Sequence, residues 1–201
     1  MMERQKAGNI LERKNGMTEW DMCAVASKED FTKVSRIDMA QIVIHQDYRL
    51  YCEENRCGNY NRNYGCPPDC GTAAEMEKRA RQYRRVLVMQ TCMEVDDVED
   101  QELLREIRKE HNRKSRSVAE QFRKAGISGL MMQPGPCSFC KECRKIKGDP
   151  CPFPEHRTSC LSAYGVDVTA LAESCGMRLD WDGGSISYFS LFLYDRNPYS
   201  E

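Results

Sequence analysis

The sequence predicts an α+β fold: a small sheet flanked by helices, with two cysteine-rich metal-binding loops. Three observations carry this expectation. Short β-branched or aromatic runs, Val86-Leu87-Val88-Met89 and Ser185 to Tyr194, read as strands. Capping signals, Thr72-x-x-Glu75 and Asp96-x-x-Glu99, open segments that read as helices. Between these lie stretches of Cys, Asn, Gly and Pro that suit turns rather than either regular element.

Taken in order, residues 1–30 carry no strong periodicity and read as a mobile N-terminal lead-in with room for a short helix. Residues 31–201 read as a single cysteine-rich metal-binding domain. Ile42-Val43-Ile44 is too short an apolar run to decide between strand and helix. A first cysteine segment runs from Tyr51 to Gly71, and Pro67-Pro68 within it cannot continue a helix. The capping box at Thr72 predicts a helix to about Tyr83, and the run from Val86 a buried strand ending near Cys92. The signal at Asp96 predicts a long helix to Lys124, stopped by Gly126. Leu103, Leu104, Ile107, Val118 and Phe122 form its apolar stripe, broken by a charged middle. Ile127 to Met132 reads as a further strand, followed by a second cysteine segment from Pro134 to about Ser159. Asp167 or Thr169 opens a short helix ending at Gly176. Asp182-Gly183-Gly184 marks a tight turn before the last strand. The two cysteine loops are expected to pack near each other.

The bulk numbers exclude several classes. With 30 basic and 31 acidic residues the net charge is -1, so no global basic excess points to nucleic acid. No apolar run approaches the roughly 20 residues that span a bilayer. Met1 to Gly16 is polar and lacks the apolar core of a secretory signal. A cytoplasmic location is the expectation. Twelve cysteines among 201 residues then point to metal rather than disulfides, because a reducing compartment keeps thiols free.

The second segment carries the stronger signal. Cys137, Cys140, Cys143 and Cys151 follow C-x2-C-x2-C-x7-C-P. The bacterial ferredoxin run has the same opening and the same final Cys-Pro, with a shorter last gap. Thiolates are soft ligands that iron–sulfur clusters and zinc both prefer. Four cysteines satisfy one [4Fe–4S] cluster, whereas structural zinc uses well-separated C-x2-C hooks more naturally than three cysteines in a row. Gly135 and Gly148 permit a tight backbone, and Lys141, Arg144, Lys145 and Lys147 offset the negative charge of a bound cluster. The first segment is less regular, C-x4-C-x8-C-x3-C, formed by Cys52, Cys57, Cys66 and Cys70. It could hold a second site or complete a shared one, and Cys70 could equally be a small residue at a helix entry.

Cys23, Cys92, Cys160 and Cys175 lie outside these groups and read as structural thiols, although Cys160 follows Cys151 closely enough to approach the second site. His156 lies between them and reads as a solvated side chain or, less simply, as a ligand. The acidic run Glu94, Asp96, Asp97, Glu99 and Asp100 reads as a solvated helix start, with docking of a basic redox partner as the sharper alternative. Neither a dinucleotide fingerprint nor a P-loop is present, nor H-E-x-x-H, nor G-x-S-x-G.

Cys52-Glu53-Glu54-Asn55-Arg56-Cys57, Tyr64-Gly65-Cys66-Pro67-Pro68, Cys137-x-x-Cys140-x-x-Cys143, Pro150-Cys151-Pro152-Phe153-Pro154 and Ala163-Tyr164-Gly165-Val166-Asp167-Val168 occur in this order. In this they resemble an uncharacterised prokaryotic family of predicted metal-binding proteins, over about residues 40 to 195. The resemblance implies metal binding and covers seven cysteines: Cys52, Cys57, Cys66, Cys137, Cys140, Cys143 and Cys151. The chain departs from it at Cys160-Leu161-Ser162, where many relatives carry Ser-Met-Glu, and Cys70 is an addition.

The functional expectation is a [4Fe–4S] protein, with one cluster in the second segment and a second site or a lid in the first, serving electron transfer or redox sensing with a partner protein. The alternative is a zinc-stabilised interaction module without redox activity. An enzyme using an open iron position ranks third, because no acid–base group stands out beside the loops.

Overall fold

The computed structural model describes residues 19–179 and 184–195. Most of the expected lead-in, and the turn residues Asp182 and Gly183, lie outside them. The chain builds one mixed five-stranded sheet in the order β1-β2-β5-β3-β4. Its strands are β1 (Lys33–Asp38), β2 (Arg85–Glu94), β3 (Gly129–Gln133), β4 (Ser159–Cys160) and β5 (Ser185–Tyr194). Every neighbouring pair is antiparallel except β3 with β4. The predicted α+β class and flanked sheet are what the chain adopts.

Both faces of the sheet are covered, which explains why β2 reads as a continuous apolar run rather than an alternating one. Successive residues of β2 serve opposite layers. Val86 and Val88 join one cluster with Met132, Leu191 and Leu193. Leu87 and Met89 join the other, with Met131, Phe192 and Tyr194. The first layer is roofed by α3 (Ala73–Ala80), α5 (Leu161–Tyr164) and α6 (Val168–Ser174), which contribute Met76, Ala80, Leu161, Tyr164, Leu171 and Ala172. The second is roofed by α1 (Glu19–Ser27) and α4 (Gln101–Lys124), through Met22, Ala26, Val118 and Phe122. A short helix, α2 (Leu50–Glu53), opens the first cysteine segment.

The caps behave as their chemistry requires. Thr72 and Glu75 form the predicted capping box, and α3 ends three residues earlier than Tyr83. Asp167 caps α6 by accepting from the Ala170 N–H. Gly126 takes the left-handed conformation just past α4, at φ 79°. The start of α4 differs from the expectation: Asp100, not Asp96, is the N-cap, accepting from the N–H groups of Glu102 and Leu103. Asp97 instead accepts from the Glu99 N–H and closes a turn before the helix. Ile44 makes one isolated bridge with Val166, so the Ile42–Ile44 run is neither helix nor strand.

The charged middle of α4 conceals a second kind of buried stripe. Ile107, His111, Ser115, Val118 and Phe122 fall on one face at helical spacing and are all buried. The polar members are satisfied from the sheet. His111 meets Thr91 Oγ1 at 2.8 Å and Ser190 Oγ at 3.1 Å, and Ser115 Oγ meets Ser190 Oγ at 2.7 Å. Asn112, also buried, donates to Pro134 O, and its own carbonyl accepts from Gln133 Nε2 at 3.0 Å. The exit of β3 is therefore fixed to α4 where the second cysteine segment begins.

Candidate metal centre

The second cysteine segment is a loop strung between the parallel neighbours β3 and β4. Thr158 Oγ1 donates to Gln133 Oε1 at 3.1 Å, which draws the two ends of the loop together. Arg116 Nη1 donates to Ser138 Oγ at 3.0 Å from the α4 side. A 3-10 turn, Arg144–Lys147, follows Cys143, and Gly148 ends it at φ 75°. A side chain larger than hydrogen is strained in that conformation.

The first segment latches onto this loop, as the sequence leads one to expect. Asn63 Nδ2 donates to Cys137 O at 2.9 Å, while Asn63 Oδ1 accepts from the Gly65 N–H. Tyr64 OH donates to Asp149 O at 2.8 Å, and the Tyr64 N–H points at Cys143 Sγ at 3.5 Å. Lys145 pairs with Asp69 at 2.7 Å and lies over the Tyr64 ring. Gly65 itself is pressed against Thr158 O and the Cβ of Cys137, so a methyl group there would collide with the loop.

Cys137, Cys140, Cys143 and Cys151 line one cavity, together with Asn63, Tyr64, Arg144, Arg157 and the apolar walls Phe139, Pro152 and Phe153. The cavity measures about 20 Å³. Among the described residues, no three Cys, His, Asp or Glu side chains close on a single-ion position. Burial, and then the neighbouring Cys137, Cys151 and Cys143, push the Cys140 thiol up from its ordinary range. Crowded thiols resist losing their protons unless a cation takes the charge. The donor set is sulfur with nearby guanidinium groups, and it fits a soft, anionic metal–thiolate group. His156 is outside this lining. Its ring stacks on Phe139, with centroids 4.5 Å apart and planes 3° from parallel, and Phe153 meets Phe139 edge-on.

A family model described as predicted metal-binding protein (DUF2284) matches residues 35–194. The chain belongs to that family. No match was found among curated proteins or among solved structures. The DUF2284 match spans all five strands except the first two residues of β1, and it contains both cysteine segments. None of the described helices is long and apolar enough to cross a membrane.

The cysteines of the first segment occupy graded environments. Cys57 is exposed, Cys52 is half-buried, and Cys66 and Cys70 are buried. Burial pushes the Cys66 thiol well above its usual range, with Cys160, Cys57, Cys70 and Cys137 adding to the effect. Cys70 lies within the core, where its Sγ accepts from Arg49 Nη1 at 3.6 Å. Cys160, which the sequence offers only as a structural thiol near the second segment, stands beside Cys52. The two thiols act on each other, which raises Cys52 and lowers Cys160 from the ordinary thiol range. Cys160 also accepts from the Ala163 N–H at 3.3 Å as the N-cap of α5. Its one sequence signal was its place shortly after Cys151. Nothing in the sequence marked Arg49, which is 7% exposed and sits among these sulfurs.

Proposed function

We propose that this DUF2284 chain is a cytoplasmic iron–sulfur protein whose loop cysteines Cys137, Cys140, Cys143 and Cys151 hold a [4Fe–4S] cluster, and that it exchanges single electrons with a partner protein or senses redox state. The observation that carries this reading is that four cysteine side chains of one loop line one cavity. When bound, such a cluster supplies a one-electron couple whose potential follows net charge, hydrogen bonds to sulfur and solvent exposure.

The chain's own residues act on each of those quantities. The Tyr64 N–H is aimed at Cys143 Sγ, and a donor there favours the more electron-rich state. Arg144 and Arg157 bring positive charge to the cavity wall. Phe139 and Phe153, each about two-fifths exposed, place aromatic surface at the cavity wall and toward solvent, where a partner can approach. Asn63 and Lys145 tie the first segment to the loop and so hold the thiols in register.

Anaerobic purification with iron, sulfide and paramagnetic resonance measurements tests the reading. A variant carrying Cys137→Ser and Cys140→Ser is expected to lose about four iron and four sulfide per chain relative to the parent. A colourless parent protein that holds stoichiometric zinc after reconstitution under argon, and that unfolds with chelator without a redox response, would overturn it in favour of a zinc-stabilised module.

A further inference from the structure

The positive charges of α4 divide into two sets. On one flank of the helix Glu106 pairs with Lys109, Glu110 with Arg113 and Glu120 with Arg123. These are neighbours one turn apart, and they neutralise one another. Arg105, Arg108 and Arg116 fall on a different face, at helical spacing, with the buried Asn112 between them. Among the described residues no carboxylate reaches ion-pair distance of any of the three. That face is the one turned to the second cysteine segment. Asn112 donates to Pro134 O, and Arg116 to Ser138 Oγ. Arg108 lies over Gly135, where an added Cβ would come within 3.1 Å of its Nε. Arg105, one turn earlier, is exposed.

The loop adds aromatic surface and further positive charge. Phe139, Ile146 and Phe153 are exposed, and Phe139 meets Phe153 edge-on with centroids 5.1 Å apart. Most charges of the loop are answered within the chain. Lys145 pairs with Asp69, Arg144 with Asp149 at 3.7 Å and Lys147 with Glu142 at 3.8 Å, while Glu155 faces His156. Lys141 and Arg157 have no carboxylate at that range among the described residues. Arg157 lines the thiol cavity with Arg144, so an anionic group bound there draws on both. Arg105, Arg108 and Lys141 lie outside that lining, and their charge is left to be met from outside the chain. Exposed aromatic rings with unpaired cations around them match the anatomy of a protein interface, in which apolar contact sits centrally and rim charge steers the encounter.

We infer that the Phe139–Phe153 platform, together with Lys141 on the same loop and Arg105 and Arg108 on α4, is the docking face for the acidic surface of a small electron-carrier protein. The inference rests on the reading that the loop holds a redox centre, and it names the chemistry of the partner. Both rings line the thiol cavity and also reach solvent, so a carrier seated on them is one side chain away from the sulfurs. At about 1.5 Å per residue, Arg105 stands about 16 Å along the helix from Arg116, whose guanidinium marks the edge of the platform at Ser138. A standard interface covers about 800 Å² per partner, roughly 30 Å across, and spans that distance. A nucleic acid is the competing occupant. It asks for a continuous basic stripe along its phosphates, whereas Glu142 and Glu155 lie among the cations here and the net charge of the chain is -1.

The test uses the full chain, reconstituted anaerobically with iron and sulfide, and calorimetric titration with a small acidic plant-type ferredoxin as the probe. Basic cytochrome c serves as its opposite, with every protein in its oxidised form. The parent is expected to bind the ferredoxin and not the cytochrome, with affinity falling about tenfold as salt rises from roughly 10 mM to 150 mM. Arg105→Glu with Lys141→Glu is expected to weaken that binding about tenfold or more at low salt, with iron content unchanged. Arg113→Glu with Lys124→Glu makes the same change in net charge away from this face, and is expected to stay within about threefold of the parent. All four positions are exposed, so each pair of substitutions leaves the core intact. Equal weakening by the two pairs, absence of ferredoxin binding, or preference for the cytochrome overturns the inference. A single-stranded oligonucleotide that binds in place of the ferredoxin, and is lost with Arg105→Glu and Lys141→Glu, overturns it in favour of nucleic acid. A parent without iron that still holds the ferredoxin through Arg105 and Lys141 sinks the cluster and leaves the docking face standing. Full iron with no ferredoxin binding does the reverse.

Discussion

His111 gives the fold a calculable dependence on pH. The ring is 1% exposed, enclosed between α4 and the sheet, with Thr91 on one nitrogen and Ser190 on the other. Burial first, and then the charge of Lys114, hold its pKa down at about 3. In the unfolded chain the same group titrates near its ordinary value of roughly 6.5. Between those values the unfolded state binds a proton that the folded state refuses, so stability rises with pH through the window and is lost as pH falls through it. The slope approaches about 1.4 kcal/mol per pH unit, and integrating from pH 7 to pH 5 gives a loss of about 2 kcal/mol from this one ring. Urea unfolding of the parent and of His111→Gln at both pH values isolates the term, because the other titrating groups are common to the two proteins. The parent is expected to lose about 2 kcal/mol more than the variant over that interval. Equal losses would refute the argument, and would mean that the ring is hydrated or already protonated in the folded state.

Two further substitutions probe the layers that carry the site. Phe122 is fully buried and packs on Phe192 with ring centroids 5.0 Å apart, so Phe122→Ala is expected to cost about 3–5 kcal/mol in denaturant unfolding. Gly165 closes α5 at φ 73°, and a Cβ there would run into His45 O, the next residue's carbonyl after the Ile44 bridge. Gly165→Ala is expected to cost at least about 1–2 kcal/mol for the left-handed backbone, seen as a lower melting temperature, and to weaken the His45 N–H to Gly165 O bond of 2.7 Å.

The elements legible in the sequence are those whose local chemistry agrees with their tertiary role. β5 has the residues a doubly covered central strand needs, and its bounds coincide with the expectation. Thr72 with Glu75, and Asp167, are caps whose partners lie within three residues. What escaped is decided by distant neighbours. β1 reads Lys-Val-Ser-Arg-Ile-Asp because it is an edge strand on which Ile37 alone is buried, and only pairing with β2 makes it a strand. β4 is two residues long and exists through β3. The polar half of the α4 stripe looks like surface until Thr91, Ser190 and Gln133 are placed opposite it. The row of loop cysteines was legible because its spacing is local. The meeting of Cys52 with Cys160 spans more than half the chain, and depends on how α5 docks beside α2.

The position of β5 has a consequence for biosynthesis. It is the last of the five strands to leave the ribosome, yet it lies in the middle of the sheet and supplies the hydrogen-bonding partner for both β2 and β3. Until it is made, β3 and β4 have no ladder joining them to β2, and the sulfur-bearing loop between them is tied to α4 but not to the rest of the sheet. Docking of that loop onto the finished sheet has to follow release of this strand, and a cell making this protein must keep a dozen cysteines reduced until that moment.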